Sequence, residues 1–431
     1  MGAAGSTGRP AGPPVQGQLE RDVEHDATGD HAGLPRLKTS SLTSAAGHNA
    51  CVRDDRLSVL WLCGPPAAGK SAAGWALYAG LARSGAQAAF ADIDQLGMCL
   101  PAPPDDPERY RLKERNLSAV AGHYGAAGCD AVVVSGDLGL SPGISAVTVP
   151  GASLTICRLR ASPDELRRRL TSRREGPGFV AGALRQAEEF DRASFADACV
   201  GTDGLTVAGV ARLVRERCGG WPPERVAGAE ADDVTPASEE EAALAAGADG
   251  DVLLVCGAIC AGKSAAGFEV YLRQLRAGVA AAYIDLDQIG FMSPVPADDP
   301  GGHRLRARNL AGLWRAYHAA GARRLILSGP VPDEHAAAVY AGTLPAARVT
   351  ICRLHAGPAE LARRISRRGR GLNWPQPGDP LIGQPEAHLR LVAAESAAEA
   401  EALDRSGLGD LRIDTDGRTI AEVADLVDRR W

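Results

Sequence analysis

The chain has 431 residues, 45% of them apolar, 4% aromatic and 23% charged, with a formal net charge of −6. That length predicts two or three domains, each able to bury a core, while the acidic balance and scarce aromatic residues offer no surface for nucleic acid or an anionic membrane. No apolar run reaches the ~18 residues that a spanning helix needs. The ten cysteines never form C-x-x-C, and Cys63, Cys157, Cys256 and Cys352, inside predicted buried strands, read as small core residues of a cytoplasmic protein.

Residues 1–50, rich in Gly, Pro, Ala and Ser without periodicity, predict a disordered tail. The apolar run LSVLWLC (57–63) predicts a strand and leads into GPPAAGKS, which holds Gly64, Gly69, Lys70 and Ser71. A helix follows and is closed by Gly85. Next comes a strand ending in ADID, with Asp92 and Asp94 two apart and so expected to project as a pair. After a long helix through Asn116 come the strands DAVVVSG and SLTICRL. Ser162 and Glu165 then form a capping-box pattern that opens a basic helix, on which Arg169 and Arg173 share a face. A TDG turn (202–204) and a terminal helix complete this stretch, and residues 219–250 read as an acidic linker.

The same order then recurs. DVLLVC (251–256) leads into GAICAGKS, with Gly257, Gly262, Lys263 and Ser264, then AAYIDLD with Asp285 and Asp287, and a basic helix with Arg364 and Arg368. Asp92 with Asp285, Asn116 with Asn309 and Ser135 with Ser328 all stand 193 apart. A proline- and glycine-rich stretch, 369–385 around Trp374, accounts for the longer second copy. The expectation is a tandem duplication with domains at 56–218 and 251–431, each an α/β parallel sheet covered by helices on both faces.

Four lysines (Lys38, Lys70, Lys113, Lys263) stand among 47 basic residues, and two of the four sit in G-x-x-x-x-G-K-S. In that motif a glycine turn between strand and helix aims backbone N–H groups at phosphate oxygens, the lysine reaches the β- and γ-phosphates, and the serine hydroxyl ligates magnesium. A broad arginine fork does not replace a compact ammonium there. In each pair, Asp92 with Asp94 and Asp285 with Asp287, one aspartate is a candidate to hold magnesium through water and its neighbour to accept a proton from an attacking hydroxyl, and the arginine pairs are candidates to neutralise the transferring phosphoryl group.

With its one Walker-type motif, the D-x-D after the next strand, RLKERN or RLRARN, the arginine lid and the late TDG, each copy resembles a small P-loop kinase of the adenylylsulfate, shikimate and gluconate kinase group. The resemblance implies two P-loop NTPase domains using ATP and Mg2+ to phosphorylate a small-molecule acceptor, with adenine seated near TDG. Two departures concern the acceptor: Ile93 or Leu286 stands where adenylylsulfate kinases have glycine, and VSG or LSG replaces Phe-Ile-Ser. An ATP-binding regulatory or ATPase module without an acceptor is the alternative. The Pro65–Pro66 pair removes two N–H donors from the first loop, so the second copy is expected to bind ATP more tightly.

Overall fold

Leu57–Cys63 (β1) is buried over six of its seven residues without alternation, as a strand covered on both faces must be. It belongs to a computed structural model that describes residues 57–137, 149–223, 247–372 and 378–431. The predicted tail, residues 224–246 of the predicted linker and Trp374 lie outside the described residues. After β1 come α1 (Lys70–Arg83), β2 (Ala88–Asp92), a 3-10 turn (Gln95–Gly97), β3 (Cys99–Leu100), α2 (Tyr110–Ala126), β4 (Ala131–Ser135) and β5 (Ala152–Arg160). The first half ends with α3 (Pro163–Ser172), α4 (Pro177–Arg192), β6 (Ala198–Gly201) and α5 (Val207–Arg217).

The second half runs β7 (Gly250–Cys256), α6 (Lys263–Arg276), β8 (Ala281–Asp285), β9 (Phe291–Ser293), α7 (His303–Ala319), β10 (Arg324–Ser328), α8 (Glu334–Gly342) and β11 (Ala347–His355). It closes with α9 (Pro358–Gly369), α10 (Glu386–Ser406), β12 (Leu411–Asp414) and α11 (Ile420–Asp428). Among the described residues two six-stranded sheets result, ordered β6-β5-β1-β4-β2-β9 and β12-β11-β7-β10-β8-β3. Among the described residues no helix is long and apolar enough to cross a membrane.

Strand register builds the site. Asp92 pairs with Ser135 and Ser135 with Leu62, so the ends of β2, β4 and β1 meet at one edge; Asp285, Ser328 and Val255 do the same in the second sheet. Parallel α/β sheets present their loops for ligands at this carboxyl edge. The glycine loop departs from it at Gly64 and Gly257, both at φ 140°, where a Cβ would lie 2.3 Å from the Leu159 carbonyl oxygen or 2.4 Å from that of Leu354. Only glycine fits such an approach.

The last strand of each sheet comes from the opposite half. β9 pairs antiparallel with β2, and β3 with β8, where the Tyr283 N–H donates to the Met98 carbonyl at 2.9 Å. Phe291 therefore packs on Trp75 and Phe90 of the first half, at ring distances of 4.8 and 6.1 Å. Helices α2 and α7 lie against each other: a Cβ on Gly312 would meet Ala119 at 3.4 Å, and His123 Nδ1 lies 2.9 Å from Asn309 Oδ1. One hydrophobic cluster runs across both halves, from Val59 and Val134 to Val252 and Leu327. Arg56–Trp431 forms one compact unit.

Candidate functional site

Each glycine loop reaches its helix through a residue in the left-handed region, Gly69 at φ 98° before α1 and Gly262 at φ 105° before α6. That turn aims the first N–H groups of the helix outward, as an anion site requires. The lysine ammoniums curl over their own loops. Lys70 Nζ donates to the carbonyls of Gly64 (2.7 Å) and Pro65 (3.1 Å), and Lys263 Nζ to that of Ala258 (3.0 Å).

Below the first loop, Ser71 Oγ donates to Asp92 Oδ2 at 3.2 Å and Ser135 Oγ to the same oxygen at 3.2 Å. In the second half Ser328 Oγ donates to Asp285 Oδ2 at 3.3 Å, and Tyr283 Oη bonds Ser328 Oγ at 2.7 Å and the Ser264 carbonyl at 3.3 Å. Burial, and then the charge of the neighbouring aspartate, push both Asp92 and Asp285 up to about 6. A hydroxyl beside one buried carboxylate is an all-oxygen donor set suited to a hard cation that keeps waters and phosphate oxygens as its other ligands.

The expected strand-like pairing of the aspartates is corrected. β2 and β8 end at Asp92 and Asp285, and the chain turns so that the Asp94 and Asp287 N–H groups donate to those carboxylates at 3.0 Å. Asp94 is gripped by Lys113 at 2.9 Å yet keeps 51% of its side chain exposed, and Asp287 faces Arg306 at 3.5 Å, also 51% exposed. Burial opposes ionisation of Asp94, but the charge and hydrogen bond of Lys113 outweigh it and hold the carboxyl below its ordinary value. Both acids are thus oriented from behind and open in front. Lys113 was missed as a site residue, although its rarity in this chain was a signal equal to that of Lys70.

The two departures from the resembled family are one packing event. A Cβ on Gly136 would lie 2.1 Å from Ile93 Cγ2, and one on Gly329 would lie 2.6 Å from Leu286 Cβ. The branched residue inside D-x-D fills the space that the S-G turn leaves empty. Asn116 and Asn309, which end RLKERN and RLRARN, are fully buried and donate to the carbonyls of Leu96 and Ile289 at 2.6 Å. They pin the turn after D-x-D.

Arg169 is spent on the scaffold. Its Nε donates to Glu165, one terminal nitrogen to the Ala67 carbonyl and Thr202 Oγ1 at 3.1 Å each, and the other to the Thr202 carbonyl at 3.0 Å. Arg364 repeats this with Glu360, Ala261 and Thr415. Both arginines tie loop, basic helix and TDG turn together. Asp203 accepts from the Ser162 N–H, while Glu165 points to arginines, so only half of the expected capping box forms. Arg173 is exposed on the rim of the cleft, whereas Arg368 Nε donates to Asp379 at 2.7 Å. Between these parts in the first half lies a cleft of about 500 Å³ with an aliphatic floor of Ala73, Leu205 and Val210, a size typical of small-molecule sites.

No protein-family model matches the sequence, and no curated protein matches it. Among solved structures, an APS kinase of Mycobacterium tuberculosis, in complex with AMPPNP and APS, aligns at 18% identity over 41% of this chain and 95% of its own, with a TM-score of 0.27. A shikimate kinase from Aquifex aeolicus aligns at 13% identity over 41% and 92%, with a TM-score of 0.22.

Proposed function

We propose that the protein is an ATP-dependent phosphotransferase with two P-loop sites, each phosphorylating a small hydroxyl-bearing acceptor. The reading is carried by one observation made twice: a lysine-bearing glycine loop lies above an aspartate that bonds the loop serine, Asp92 with Ser71 and Asp285 with Ser264, with a second aspartate two residues on, held by a basic side chain and open to solvent. The loop N–H groups and Lys70 or Lys263 would hold the triphosphate, and the cleft beside Thr202 the base. Ser71 with Asp92, and Ser264 with Asp285, would hold magnesium, which when bound neutralises charge on the β- and γ-phosphates. Asp94 and Asp287 would orient the acceptor hydroxyl and take its proton. Arg169 and Arg364 fix the loop against the TDG turn, and Arg173 and Arg368 stand where a closing lid could add positive charge.

Calorimetry on the full chain tests this. Two magnesium–ATP sites are expected, with Lys70→Ala and Lys263→Ala each removing one and leaving the melting curve in place. No binding by the unsubstituted chain would overturn the proposal. Binding with ADP release that no hydroxyl compound accelerates would favour an ATPase or regulatory module instead.

A further inference from the structure

At the positions that would face the nucleotide the halves agree: Gly64 and Gly257, Lys70 and Lys263, Ser71 and Ser264, Asp92 and Asp285, Arg169 and Arg364, Thr202 and Thr415. At the acceptor end they part. Arg109 stands opposite Gly302, Tyr110 opposite His303 and Asp137 opposite Pro330, each 193 residues apart. Arg109 is kept at φ 60°, the left-handed conformation that Gly302 adopts without strain at φ 66°, so the side chain is retained against a backbone cost.

In the first half this places both signs of charge around Asp94. Lys113 bonds Asp94, and the positive charge of Arg109 reaches both of them. Asp137 follows Gly136, whose added Cβ would stand 3.5 Å from Asp94 Oδ2. Its carboxylate accepts from Gln186 of α4 at 2.9 Å, and its charge acts on Lys113 and Tyr110. The second half has lost one acid and one base from this set. There Asp287 faces Arg306, and beside them His303 Nδ1 and Tyr340 Oη lie 2.9 Å apart. Burial and Arg306 hold the His303 pKa below its ordinary value, which favours the neutral imidazole.

Building on the kinase reading, we propose that the halves share one phosphoryl donor and serve different acceptors: the first a zwitterionic hydroxy compound of the hydroxy-amino-acid class, the second an uncharged polyhydroxyl compound. Asp137 meets the ammonium group, Arg109 and Lys113 meet the carboxylate, and the hydroxyl points to Asp94. The neutral His303–Tyr340 pair instead matches alcohol groups that both donate and accept. In each site the acceptor oxygen forms a bond to the γ-phosphorus as the bond to the β-γ bridging oxygen breaks. ADP leaves, and the hydroxyl proton passes to the aspartate and on to water.

Single-site chains separate the two activities. Lys263→Ala leaves the first site and Lys70→Ala the second, and ADP release by each is measured with L-serine, L-homoserine, glycerol and erythritol, with melting curves as the fold control. Lys263→Ala is expected to respond to the amino acids alone and Lys70→Ala to the polyols alone. Asp137→Asn added to Lys263→Ala should raise the amino-acid KM about tenfold or more, as expected for losing a charged hydrogen bond, and leave the KM for ATP in place. The same acceptors for both chains, or an unmoved amino-acid KM, would overturn the proposal with the kinase reading intact. ATP binding without acceleration by any acceptor would overturn both.

Discussion

At the scale of single residues, the site depends on acids held at different proton affinities. Asp92 and Asp285, pushed up to about 6 by burial and a neighbouring carboxylate, keep protons that the unfolded chain releases near its ordinary value of ~3.9. Between those values the folded state binds more protons, so their contribution to stability falls as pH rises. A cation placed beside them favours ionisation. Loading magnesium–ATP at pH 6 should thus release protons that loading at pH 8 does not, as read by calorimetry in buffers of different ionisation heat; equal release at both would contradict the metal assignment. Asp94 and Asp287 keep shape and polarity on change to Asn but lose the proton acceptor, so the double variant should lose about 10² to 10⁴-fold in turnover with ATP affinity little changed. Undiminished turnover would remove the base role. The motif lysines, glycines, serines and first aspartates were legible in the sequence as a group because one spacing recurs in both halves, from Gly64, Lys70, Ser71 and Asp92 to Gly257, Lys263, Ser264 and Asp285. Lys113 and Arg306 were not, because a basic residue on a helix declares its partner only once the turn after D-x-D brings Asp94 or Asp287 beneath it.

At the scale of elements, contacts that break the likeness of the halves carry information. Gly329→Ala should push a methyl into Leu286, an overpacking error of about 1–3 kcal/mol. In a Leu286→Gly background the same change should cost much less; additive costs would show that the two positions are not coupled. Between α2 and α7, His123 satisfies the Oδ1 of buried Asn309, but the position equivalent to His123 is Ala316, and the Asn116 Oδ1 is buried without a partner. His123→Ala should therefore leave a second buried oxygen unmet and lower stability by about 1–3 kcal/mol, seen as a shifted urea midpoint at constant slope. An unshifted midpoint would show that water replaces the imidazole. Long elements were legible from apolar periodicity and glycine stops. β3 and β9 were not: CL and FMS are too short to show a period, and their partners lie in the other half.

At the scale of the whole molecule, a duplicated sequence suggests two domains that work and fold alone, and the strand exchange argues against it. A half cut at about residue 220 would expose the edge of β2, which β9 now covers, along with Trp75 and Phe90 where Phe291 packs. It would also uncover the face of α2 that α7 buries and cut the cluster running from Val59 to Leu327. An open strand edge beside an apolar face is a template for association. Separately produced halves, about 51–220 and 245–431, should aggregate or melt without cooperativity, whereas coexpression should return a one-to-one complex that melts in a single transition and binds ATP. The turn after each D-x-D runs directly into the exchanged strand, and Tyr317 of α7 donates to the Gln95 carbonyl at 3.4 Å, so the turns that carry Asp94 and Asp287 are tied to the opposite half. Loss of one half should then abolish turnover in the other even where residual ATP binding survives. A monomeric half with a cooperative melt and full acceptor-dependent ADP release would show that the exchange is packing alone.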